Sequence, residues 1–182
     1  MSRLRIFSDS NPHRVEFESY AHREISNKLE EVGVRFEQWQ THHSFESGAD
    51  PETIIQAYRS DIDRLMEEEG YTTVDVVSLS ADHPQKAELR QKFLNEHTHS
   101  EDEVRFFVGG SGLFSLHLAD KVYEVLCEQG DLITVPDKTK HWFDMGPEPS
   151  FIAIRLFTNP AGWVAEFTGT DIAQKFPRFE IG

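Results

Sequence analysis

From residue 103 to residue 157 the sequence breaks into six short alternating runs, at about 103–108, 112–118, 121–127, 131–136, 141–145 and 151–157. Turn signals separate them at intervals of about ten residues: Gly109-Gly110-Ser111-Gly112, Ala119-Asp120, Gln129-Gly130-Asp131 and Gly146-Pro147. Alternation with period two gives each run one face for a core and one for solvent, and turns this closely spaced join neighbours antiparallel. Six such strands after a helical region predict a mainly β fold with helices (α+β), built as a small β-barrel or jelly roll.

The first half has a different rhythm. Ile25, Leu29 and Val32 fall at helical spacing before Gly33, and Val34-Arg35-Phe36-Glu37 alternates like a strand. Asp50 is placed to cap a helix that Pro51 opens, that Ile54, Ile55, Tyr58, Ile62, Leu65 and Met66 stripe, and that Gly70 ends. Val74 to Leu79 reads as a buried strand, and Asp82-His83-Pro84 opens a third helix running to about Phe93. Near Asp171 to Lys175 the tail suggests one more short helix. With 182 residues the chain has room for one ordinary domain. The expectation is a single domain over 1–182: a mixed region at 1–93, a barrel core at 94–157, and a segment at 158–182 packed across the barrel.

A formal charge of −14 argues against nucleic acid or an anionic membrane as partner, since both need a basic face. Cys127 is the only cysteine, so neither a disulfide framework nor a cysteine-pair metal site is available, and a reducing compartment is the natural reading. The N-terminus lacks the apolar core of a signal peptide, and no apolar run approaches the roughly 18 residues a membrane span requires. A soluble, cytoplasmic monomer is expected. The nine histidines have no obvious structural purpose in so acidic a chain.

The chemistry concentrates in Asn95-Glu96-His97-Thr98-His99-Ser100-Glu101-Asp102-Glu103-Val104-Arg105-Phe106-Phe107. His97, His99, Glu103 and Arg105 share one parity, so the two imidazoles point to one side and the carboxylate and guanidinium can join them. Two imidazoles and a carboxylate converging in a barrel are the donor set of a divalent transition metal. Burying them together without a cation would be costly. His-x-His-x-x-x-Glu, then Gly130 to Pro136 as Gly-x-x-x-x-x-Pro, then His141, resembles the two-part metal motif of the cupin superfamily. Gln91 and Lys138 stand where that pattern has glycines, and Met145 where it has asparagine.

Four stretches narrow the likeness: Gly33-Val34-Arg35-Phe36-Glu37-Gln38-Trp39, Lys92-Phe93-Leu94-Asn95-Glu96-His97-Thr98-His99, Glu101-Asp102-Glu103-Val104-Arg105-Phe106-Phe107 and His141-Trp142-Phe143-Asp144-Met145-Gly146. They resemble the bacterial acireductone dioxygenases of methionine salvage, from about residue 3 to about 178. The resemblance implies a cupin barrel with His97, His99, Glu103 and His141 holding one Fe²⁺ or Ni²⁺ per chain. On an octahedral ion these four leave two adjacent positions open, which fit a bidentate enediolate. The implied reaction joins O₂ to 1,2-dihydroxy-3-keto-5-methylthiopentene. It gives formate and 4-methylthio-2-oxobutanoate with Fe²⁺, and formate, carbon monoxide and 3-methylthiopropionate with Ni²⁺. Arg105 takes the role of stabilising the substrate dianion, by charge-assisted hydrogen bonding beside the metal. Glu96 and Asp102 inherit auxiliary roles in metal loading and conformational relay, although their residues alone read as solvated loop acids. Phe93, Phe107, Phe143 and Trp163 are candidates for an apolar wall around the methylthio tail, and aromatics at strand spacing serve equally as core.

Two other readings use the same ligands. A cupin that binds a small molecule without catalysis would have no need of Arg105 beside the metal. A metal-dependent isomerase of sugar phosphates would need several cations, and the strand-rich half has only seven lysines and arginines. His13, His22, His42, His43 and His83 read as loop or helix-face residues. His117 lies in a strand between apolar neighbours and reads as a satisfied core histidine.

Overall fold

The computed structural model describes residues 1–41, 43–46, 48–159, 161 and 164–180. The mainly β expectation holds. Among the described residues, eleven strands and four helices follow the order β1 (Arg3–Ser8), β2 (Asn11–Ser19), α1 (His22–Glu30), β3 (Arg35–Gln38), α2 (Pro51–Ala57), α3 (Arg59–Glu69), β4 (Thr73–Leu79), α4 (Lys86–Leu94), β5 (His97–Thr98), β6 (Glu103–Leu118), β7 (Lys121–Glu128), β8 (Asp131–Val135), β9 (Lys140–Asp144), β10 (Phe151–Phe157) and β11 (Glu166–Phe167), before a 3₁₀ turn at Ile172–Lys175.

The strands form two antiparallel layers that share β6. One layer runs β11-β5-β9-β6-β7-β1-β2, and the other runs β4-β10-β6-β8-β3. The first half of β6 pairs with β8 and β10, and its second half with β7 and β9. Among the described residues the layers do not close into a continuous hydrogen-bonded barrel. Leu4, Phe107, Phe114, Val125, Cys127, Ile133, Phe143 and Phe151 belong to the core between them, and α2 and α3 cover the outer face of the β4-β10 layer through Ile54, Tyr58, Ile62 and Leu65.

Residues 103–118 were expected as two strands split at Gly109 to Gly112, and they form one. The glycines bend the strand instead of ending it. Gly110 adopts φ +72°, and a β-carbon there would collide with the backbone of Ser150 and Phe151. The ladder with β10 slips by one residue at this point, between Ile152 and Ala153. The expected helix from Pro51 is divided at Tyr58, whose φ of −116° leaves the helical region while its ring packs edge-on against Phe106. Asp50 caps the first piece by accepting from the Thr53 amide at 3.2 Å, and left-handed Gly70 ends the second. β1, β2 and β11 have no counterpart in the sequence reading. Among the described residues no helix is long and apolar enough to cross a membrane.

Candidate metal centre

β5 and β9 lie side by side with His97 opposite His141, so the pairing register itself brings two imidazoles face to face. His99 follows β5 and is held by its carbonyl, which accepts from the Lys138 amide at 2.8 Å. Lys138 has φ +62°, the left-handed geometry that the cupin pattern assigns to a glycine two residues after the proline. The three ring centroids are 4.5–5.2 Å apart, and their donor nitrogens lie within 4.8 Å of one another. Glu103, at the start of β6, places Oε2 2.8 Å from His141 Nε2 and 3.2 Å from His99 Nε2. All four expected ligands therefore converge, and all are buried.

The hydrogen bonding of the rings shows what belongs between them. The Nδ1 atoms of His97 and His141 each lie 2.7 Å from a carbonyl oxygen, of Asn95 and Thr139 respectively, so each Nδ1 carries the proton and donates it. A neutral imidazole has one N–H, which leaves Nε2 as a bare lone pair. In His141 that lone pair faces a carboxylate oxygen, an arrangement that calls for a cation. The donor set thus fits a divalent transition metal, with the two carbonyls fixing ring orientation. Burial, the largest influence on it, pushes His97 down to about 4 and keeps it neutral and ready to ligate. Burial opposes ionisation of Glu103, but the Arg105 guanidinium and the contacts from His141 and His99 outweigh it and hold the carboxyl well below the usual range.

Arg105 lies buried beside this cluster, its Nε 2.9 Å from Glu103 Oε1 and its guanidinium 4.9 Å from the centre of the Phe143 ring. Arg105 and His99 open onto a cavity of about 400 Å³ whose other walls are Lys92, Phe93, Arg155, Val164, Ala165 and Phe167. Of the four aromatics expected to line a pocket, Phe93 does so. Phe107 does not: it is fully buried in the core against Phe114 and Phe151. Phe143 is also core, and meets the site only as the surface on which Arg105 rests. Trp163 lies outside the described residues, as does His42.

Glu96 and Asp102 face elsewhere. Glu96, 1% exposed, is not a solvated acid. One oxygen lies 2.6 Å from His117 Nδ1, and the other accepts from Thr168 Oγ1 at 2.7 Å and Thr170 Oγ1 at 3.1 Å. His117 Nε2 in turn lies 3.1 Å from Asp9 Oδ2, so this histidine is a satisfied structural residue that leaves the cavity to others. Asp102 accepts from the Tyr71 hydroxyl at 3.1 Å and the Asp137 amide at 2.9 Å, tying the start of β6 to the turn before β9.

Lys92, Arg155, Val164, Ala165 and Phe167 escaped the sequence reading. Arg155 did leave a trace, as the one charge in the run Phe151-Ile152-Ala153-Ile154-Arg155-Leu156-Phe157. The tail residues left none, because β11 reaches the site only by pairing with β5.

Comparison with known proteins gives the chain its family. A family described as "ARD/ARD' family" matches residues 3–165. The chain is 59% identical to acireductone dioxygenase of Xanthomonas oryzae pv. oryzae (strain MAFF 311018), over 98% of this chain and 95% of that protein. It is likewise 59% identical to acireductone dioxygenase of Alcanivorax borkumensis, over 97% and 98%. A solved structure titled "Acireductone dioxygenase from Bacillus anthracis with cadmium ion in active center" is 31% identical, with a TM-score of 0.80 over 92% of this chain and 98% of that one. The chain belongs to the ARD/ARD' family.

Proposed function

We propose that the protein is a metal-dependent dioxygenase that cleaves 1,2-dihydroxy-3-keto-5-methylthiopentene with O₂. The observation that carries this reading is the convergence of three buried imidazoles and Glu103 beside a buried guanidinium that opens onto a cavity. His97, His99, Glu103 and His141 would hold one Fe²⁺ or Ni²⁺. When bound, the cation supplies Lewis acidity toward the enediolate and brings it together with O₂.

The side chains of the chain do the rest. Arg105 donates toward the substrate oxygens and offsets the second negative charge, at little reorganisation cost because Glu103 and Phe143 already fix its plane. Phe93, Val164, Ala165 and Phe167 take the methylthio end and exclude water. Asn95 and Thr139 carbonyls hold the His97 and His141 rings in one tautomer. Glu96 and Asp102 are positioning residues of the loops that carry the ligands. The proposed products are formate and 4-methylthio-2-oxobutanoate with Fe²⁺, and formate, carbon monoxide and 3-methylthiopropionate with Ni²⁺. The reading extends to a cytoplasmic monomer working as one domain.

Fe²⁺- and Ni²⁺-loaded protein incubated with the acireductone and O₂ tests it. Both forms should consume O₂, and carbon monoxide should appear with Ni²⁺ alone. Absence of O₂ consumption in both would favour a non-catalytic binding protein.

A further inference from the structure

The cavity beside Arg105 differs from three other charged clefts of the described surface in the sign of its walls. The cleft at Gly33 to Glu37 sets Glu30 and Glu37 against Arg35, and the neighbouring one sets Glu37 and Asp61 against Arg64. The cleft under Thr170 carries Glu96 and Asp171. The Arg105 cavity is lined by Lys92, Arg105 and Arg155 and by no acid, in a chain of net charge −14.

The three cations are committed to different degrees. Arg105 faces Glu103, and Arg155 grips Asp75 through contacts of 2.8 and 2.5 Å. Lys92 stands in the last turn of α4, exposed, and forms no ion pair with an acid among the described residues, Glu88 one turn earlier included. Its ammonium lies 5.6 Å from the centre of the Phe93 ring, itself a cavity wall. The aromatic face thus holds a positive charge that no acid pairs with among the described residues, on the wall of a cleft that no acid lines.

We propose that Lys92 is an anion-capture residue: its ammonium draws an anionic enediolate into the cavity in preference to neutral molecules of the same shape. This rests on the activity proposed above. A positive centre is needed there, because the field of the whole chain repels anions while a local cation focuses them. Since Lys92 is exposed, its pull is screened by salt over about 8 Å at physiological ionic strength. A lysine acting only at the helix C-terminus would leave substrate capture unaffected.

The test uses metal-loaded wild type, Lys92→Ala, Lys92→Arg and Lys92→Glu. Steady-state kinetics with the acireductone at low and high salt are paired with calorimetric binding of 4-methylthio-2-oxobutanoate, an anion carrying the same tail. At low salt Lys92→Ala should lose about fivefold in kcat/KM, mostly through KM, and bind the keto acid more weakly by a similar factor. Lys92→Glu should lose more, Lys92→Arg should stay near wild type, and the differences should shrink at high salt. Equal kcat/KM and equal keto-acid affinity in wild type and Lys92→Ala at low salt would overturn the proposal, as would a deficit that persists at high salt. If the wild type consumes no O₂, the proposed activity fails instead, and the binding measurement decides the role of Lys92 alone.

Discussion

Glu103 answers to three partners at once, with one oxygen toward His141 and His99 and the other toward Arg105. That sharing separates two roles that lie only two residues apart. Replacing Glu103 with Gln removes a proposed metal donor and leaves the Arg105 guanidinium facing an amide, so tightly bound metal should be lost. Replacing Arg105 with Ala should leave metal content intact while turnover falls by about 10²-fold, the usual scale for deleting one charged stabiliser of a developing oxyanion. Metal analysis of the purified variants together with O₂ uptake checks both. Full metal occupancy in Glu103→Gln would remove that residue from the ligand set, and an unchanged rate in Arg105→Ala would end its catalytic assignment. At this scale the sequence was highly legible, because His97, His99, Glu103 and Arg105 lie within nine residues and their parity is local geometry. Phe107 was not legible. It shares that parity, yet sits deeper in the strand where the layers close on it, and parity gives a face but no depth.

Among the elements, β6 decides the architecture, since it is the one strand among the described residues that hydrogen-bonds in both layers. Its bend depends on Gly110, where any side chain would meet the Ser150 carbonyl in a left-handed backbone. Gly110→Ala is expected to cost about 2–4 kcal/mol, from positive φ together with a backbone clash that no rotamer relieves. Urea unfolding measures this, and a loss below about 0.5 kcal/mol would show that the bend does not need glycine. The glycine run was visible in the sequence and was read as a turn. Whether such a run ends a strand or bends it depends on partners for the flanking residues, and those partners, β8 and β10 on one side and β7 and β9 on the other, come from distant parts of the chain.

For the molecule as a whole, Asp144 joins three distant segments. It accepts from Arg90 of α4 at 2.8 and 3.0 Å, and from the amides of Gly146 and Phe179 at 2.9 Å each. Burial works against its ionisation, but Arg90 and the two amides prevail and hold the carboxyl below its usual value. A depressed folded pKa means that this contribution is present above the ordinary carboxylate value, about 4, and is lost as pH falls through the folded one. Asp144→Asn should therefore lower the urea midpoint clearly at pH 7, by the equivalent of about 3 kcal/mol, and the gap from wild type should narrow below about pH 4. A gap of the same size at pH 3 would show that the charge of Asp144 does not stabilise the fold. Burial raises Glu124 and Asp131, which act in the opposite sense and offset part of the acid loss.

The two kinds of information divide by range. Local periodicity and spacing in the sequence were enough for the mainly β architecture, most strand positions, the helix signals at Asp50-Pro51 and Gly70, and the grouping of His97, His99 and Glu103, to which the likeness to a known motif added His141, because each depends on residues a few positions apart or on a motif tied to one strand pair. Tertiary structure alone decided that β6 serves two layers, that Glu96 is clamped by His117 and the tail threonines, that Phe107 is core, and that Lys92, Arg155, Val164, Ala165 and Phe167 share a cavity with Arg105. These depend on pairings such as β11 with β5 and β10 with β6, which bring distant residues together. Such contacts follow from how whole layers pack, and no short window of sequence contains both partners.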